Sequence, residues 1–276
     1  MKLIDFDGLF DEKLTQYMKQ SGKKRSPKQW EDAIPKLYKQ FGDTYIAKIK
    51  CTPKEYYAKM TDAELSETLL AHLEQEISVP EFLIGEIEKR NAAETLLPLL
   101  SKGGQAAEYA LNLIGDNPRA YDAYFSILTD GNGEASLKNL IVDIFRQNAD
   151  EVKDRVFEAY QKGVEKAYML EILSRVTLGE DKIYQTLLQA LFDADEKELP
   201  LCAGYLASYG DERALPHLLR KIEDKSIGFV EFQELKYAIE ALGGEYDEER
   251  DFTADKDYLR VQSAKEKGTD SNETNI

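Results

Sequence analysis

His72, His217, Cys51 and Cys202 are the side chains best suited to metal or nucleophile chemistry in this 276-residue chain. A zinc centre needs three or four such ligands at workable spacing, and these stand singly and far apart. Neither cysteine has a histidine close in sequence to draw off its proton, and no GxSxG elbow offers a serine instead. Glycine-rich phosphate loops of the GxGxxG or GxxxxGK type are also missing. Two stretches imitate calcium loops and fail. Setting Gly228 at the sixth loop position puts Lys225 and Ile227 where oxygen ligands belong, and TDGNGEAS (129–136) lacks the closing glutamate. With 52 Asp and Glu in the chain, two neighbouring carboxylates would not mark a hydrolase. The reading is of no catalytic residue, no cofactor and no metal.

The histidine in YGDERALPHLLRKIED (209–224) is explained by what must position it. Segments 117–147, 148–179, 180–210 and 211–244 each hold two amphipathic helical patterns divided by a break. Units of that size cannot bury both apolar faces alone, so they must stack. Steps of 31 residues from Ala214 reach Ile183, Val152 and Tyr121, and from Leu218 reach Leu187, Val156 and Phe125. Two apolar columns four residues apart are what a buried helix face requires. The column of His217 instead reads Thr186, Arg155 and Tyr124. Its changing chemistry makes Tyr124, Arg155 and His217 the candidate exposed interaction positions. Gly210 and Asp211 read as the end of one helix and the cap of the next, and Asn117 before Pro118 marks the corresponding start. Arg213 and Arg220 are left for solvent or for Glu223 and Asp224.

The final unit resembles a HEAT-type repeat of the bilin-lyase-like class. Gly210 and Asp211 at the turn, Ala214, Leu215, Pro216, Leu218 and Leu219 in the first helix, and Ala238, Ala241, Leu242 and Gly243 in the second carry the likeness. It is strongest over 209–244 and weaker over 91–208. The resemblance implies an all-α fold, an α-α superhelix or HEAT-like solenoid, serving as an interaction scaffold.

The expected organisation is a helical N-terminal region at 1–85, repeats at 86–244 and an acidic, largely flexible tail at 245–276. Capping boxes at Ser26–Gln29, Thr52–Glu55 and Thr61–Glu64 start helices in the first region. Trp30, Leu37, Tyr38, Phe41, Tyr45, Ile46 and Ile49, followed by Tyr56, Tyr57 and Met60, supply its aromatic-rich core. His72 is placed at the edge of the Leu65–Leu69–Leu73–Ile77 face. In the tail, Phe252, Tyr258 and Leu259 can dock back onto the last repeat.

Formal charge is +5 over residues 1–60 and −21 over the rest. That balance disfavours nucleic acid, whose phosphates require clustered cations; a local basic contact through Lys23, Lys24, Arg25 and Lys28 is the exception weighed. No segment has the continuous apolar length of a membrane span, and unpaired cysteines with no signal-like N-terminus point to the cytoplasm. The expected function is a non-catalytic scaffold with an acidic surface, binding a protein partner of basic or mixed charge and neither membrane nor nucleic acid. The alternative is an enzyme or accessory subunit with a small-molecule pocket where the N-terminal region meets the repeats.

Overall fold

Three boxes of serine or threonine with glutamine or glutamate start helices at the places the sequence marks. In a computed structural model that describes residues 3–20 and 26–270, Ser26, Thr52 and Thr61 each accept a hydrogen bond from the backbone N–H three residues on. The Gln29, Glu55 and Glu64 side chains return the bond. Lys23, Lys24 and Arg25 lie outside the described residues. The protein is all-helical, with no strand among the described residues and a single isolated bridge between Ile46 and Cys51. No helix is long and apolar enough to cross a membrane.

The chain divides into two compact units, residues 1–141 and 142–276, and the expected change of style at 85–86 falls inside the first. The first unit contains α1 (Phe6–Gln20), α2 (Pro27–Phe41), α3 (Pro53–Ala58), α4 (Asp62–Glu74), α5 (Glu81–Arg90), α6 (Ala92–Leu100), α7 (Gly104–Ile114) and α8 (Tyr121–Thr129). Helix α9 (Ala135–Gln147) runs through the dividing point. Aromatic packing holds α1, α2, α3 and α5 together: Tyr38 stacks on Phe82 at 4.7 Å and meets Phe10 edge-on at 5.0 Å, and Phe6 sits against Tyr57 at 5.6 Å. Phe41 and Tyr57 are buried as expected, whereas Trp30, Leu37, Tyr38, Ile46, Ile49, Tyr56 and Met60 are half-buried. Tyr45 is 62% exposed and leaves the core, because it follows the end of α2 in a turn. Phe6 and Phe10 take the inward positions instead. Arg90 ties α5 to the start of α4 by donating to the Met60 and Ala58 carbonyls as well as to Glu86 and Asp62.

The second unit continues through α10 (Ala149–Gln161), α11 (Lys166–Leu173), α12 (Asp181–Asp193), α13 (Leu199–Tyr209), α14 (Leu215–Ile222), α15 (Phe229–Ala241) and α16 (Lys256–Asp270). Within it α10 packs on α11, α12 on α13 and α14 on α15, and α13 also packs on α15, so successive helix pairs share apolar surface. Both predicted columns are inward: Ala214, Ile183 and Val152 are buried, as are Leu218, Leu187, Val156 and Phe125, while Tyr121 is half-buried. Ion pairs link one pair to the next through Asp154–Lys182, Lys153–Glu180 and Asp181–Arg213, each at 2.7 Å. At the surface each contributes about 0–1 kcal/mol, so they fix register more than they add stability.

Residues 245–258 pack onto the second unit. Tyr246 is buried and donates to Glu223, and Phe252 and Tyr258 pack edge-on against Phe229 at 5.5 and 5.2 Å. Leu259 stays half-exposed, so two of the three proposed anchors dock. Arg250 donates to the carbonyl of Ile222, the last residue of α14, and to that of Asp224 in the turn beyond it.

Candidate interaction surface

The stretch that raised the histidine question resolves into a structural node. Gly210 ends α13 with φ +82, in the left-handed region where a side chain would be strained. Asp211 then accepts from the Arg213 N–H at 3.0 Å, capping a 3-10 turn (Glu212–Ala214) that leads into α14. Asn117 does the same for Arg119 ahead of α8. Arg213 was expected to face solvent or Glu223 and Asp224. It stays 54% exposed and pairs with carboxylates, but with other ones: its guanidinium grips Asp211, reaches Asp181 at 2.7 Å and lies 4.1 Å above the Tyr184 ring. The turn itself points it toward α12. This contact holds the Asp211 carboxyl below the usual carboxylate range and raises the Arg213 value.

The three candidate positions separate. Tyr124 is a correction: it is 0% exposed, and its hydroxyl donates to the Gly115 carbonyl at 2.9 Å. Its helix buries Tyr124, Phe125 and Leu128 together, a broader inward face than the last unit presents at the same column. Arg155 is exposed on α10. His217 is half-buried and meets the 48%-exposed Phe192 edge-on at 5.4 Å. His72 is also corrected. Its imidazole is fully buried on α4, on the same face as Leu65 and Leu69, and both ring nitrogens lack a hydrogen-bond partner.

A pocket of about 270 Å³ opens between α10, α11, α12 and α13. Its position follows from two tight turns. Gly163 (φ +78) and Glu165 (φ +43) reverse the chain from α10 into α11, which places the Lys166 ammonium 5.5 Å from the Tyr160 ring centre. After α12, the Asp195 carboxylate accepts from the Lys197 and Glu198 N–H groups at 2.9 Å and starts α13. Asp193 and Glu198, on either side of this turn, thereby both border the pocket. Tyr160, Tyr205, Leu170 and Cys202 line the interior, and Leu201, 57% exposed, stands at the edge. Asp193 accepts from Gln189 at 2.8 Å; among the described residues neither Asp193 nor Glu198 forms an ion pair with a lysine or arginine.

Burial, then the charge of Glu198, pushes the Cys202 thiol up to about 11. Burial, followed by Glu171, pushes Tyr205 up to about 12, and burial followed by Asp193 raises Tyr160. At neutral pH these groups are protonated, which makes them hydrogen-bonding and packing surface rather than nucleophiles. Both cysteines are free and buried. Among the described residues no three His, Cys, Asp or Glu side chains converge as a metal site.

The alternative pocket has a counterpart in the first unit, a groove of about 590 Å³ between α2, α3 and α5. Two of its three acidic groups serve the fold: Glu55 accepts from the Thr52 N–H, and Glu86 holds Arg90 and Lys89. No histidine lines it. No family model, curated protein or solved structure matches this chain.

Proposed function

We propose that the protein is a non-catalytic interaction scaffold of HEAT-like character, cytoplasmic, whose second unit engages a protein partner with a basic or mixed-charge surface. The observation that carries this reading is the Tyr-lined pocket bordered by Asp193 and Glu198, two carboxylates that form no ion pair among the described residues although Lys166 lines the same pocket. Protonated phenols and a protonated thiol suit recognition rather than covalent chemistry. The exposed Phe192 and Leu201 add apolar area of the kind that anchors interfaces. The −21 balance after residue 60 supports a basic protein over a nucleic acid.

The test is capture by the immobilised full chain from a native cytosolic extract at low and moderate salt, then titration of the purified captured protein. D193N/E198Q should weaken that binding, and the exposed remote pair D247N/E248Q should not. A saturable partner absent at both salts, or equal loss in both double variants, would sink the reading.

A further inference from the structure

We propose that the α10–α13 pocket receives one arginine side chain from the partner, with its methylene stem on the aliphatic wall and its guanidinium between tyrosine faces and the two rim carboxylates. This rests on the interaction reading and names the chemistry of its central contact. The protein itself contains the arrangement in completed form. Arg213 lies 4.1 Å over Tyr184 and is held by Asp211 and Asp181. The pocket supplies receiving groups of the same kind, Tyr160 and Tyr205 with Asp193 and Glu198; among the described residues no arginine lines it, and Arg146, whose charge reaches Tyr205, is already held by Asp143 and Glu171. Leu170 and Leu201 provide the surface along which a long cationic side chain buries its stem. A planar guanidinium suits both a ring face and a carboxylate better than an ammonium does.

Lys166 gives the inference a sign. Its ammonium rests 5.5 Å from the Tyr160 ring centre and makes no ion pair among the described residues, so it occupies the cation's place without a carboxylate to hold it there. An incoming guanidinium must displace it. An anionic ligand would use it as an anchor.

The experiment is an NMR titration of the isotope-labelled full chain with N-acetyl-arginine amide, and with N-acetyl-citrulline amide as its neutral isostere. The arginine probe should give saturable shifts centred on Asp193, Glu198 and Tyr205, and citrulline should bind several-fold more weakly. K166M should tighten the arginine probe about two- to fivefold and D193N/E198Q should weaken it by a similar factor, the scale of an exposed ion pair. Lys166, Asp193 and Glu198 are exposed, so these variants should keep the parent fold, with far-UV circular dichroism as the check. Equal binding of citrulline, unsaturable shifts spread over the acidic surface, or weaker binding by K166M would overturn the assignment. If the probe fails while D193N/E198Q still impairs the captured partner, the arginine pocket falls and the interaction reading stands. Failure of the partner titration with a working probe would have the reverse meaning.

Discussion

Replacing Arg250 by alanine tests whether the segment after residue 244 belongs to the fold. The guanidinium makes a part-buried hydrogen bond of 2.6 Å to the Ile222 carbonyl and an exposed one of 2.8 Å to the Asp224 carbonyl, and lies 5.0 Å over Phe232. A hydrogen bond to a charged group contributes about 1.5–3 kcal/mol when shielded, and the exposed one contributes less. Adding the partly exposed ring contact, at about 0.5–1 kcal/mol, the loss should be roughly 2–4 kcal/mol. For a protein of this size that lowers the melting temperature by about 5–10 °C. R250K keeps the charge but cannot span both carbonyls as a planar fork does, and should lose an intermediate amount. Calorimetry gives the shift, and limited proteolysis at 245–260 reports whether the segment has come loose. A melting temperature within about 1 °C of the parent, with no new cleavage, would refute the clamp as assigned here.

Two further outcomes follow from groups in unusual surroundings. His72→Leu should raise stability by about 1–2 kcal/mol in urea with an unchanged slope, because it replaces two buried unpartnered nitrogens with apolar volume; a loss would show that the imidazole has a favourable role in its site. The Asp211 carboxyl is held below its unfolded value of 3.8, chiefly by Arg213, so its contribution is complete above that value and is lost as pH falls through the folded one. The stability gap between parent and R213Q should therefore narrow as pH falls below the unfolded value of 3.8, and a gap that stays constant on acidification would contradict the assignment.

The legible parts of the sequence were those governed by short-range rules. Capping boxes need only four residues, and Ser26, Thr52 and Thr61 behaved as written. The apolar columns were equally clear because burial recurs with each helix pair. Tyr124 was missed because a fixed 31-residue step carries over a position but not the width of the buried face, and α8 turns more of its circumference inward. His72 was misplaced because a stripe read only every four residues drifts about 40° per step round the helix, whereas the position seven after Leu65 comes back to within about 20° of it and shares its buried face. The pocket had no local signature, since Tyr160, Lys166, Asp193 and Tyr205 come from four helices. Its one sequence trace was the acidic run between two apolar helices, which periodicity alone treats as a linker.

The buried, protonated state of Cys202 also has a practical side. Maleimide and other alkylating reagents consume thiolate, so this position should react slowly at neutral pH, and Cys51 is shielded by burial. A cysteine introduced at the exposed Lys197, beside the pocket but not in its lining, can therefore be labelled without first deleting the native thiols. A dye there would turn occupancy of the neighbouring cleft into an optical signal.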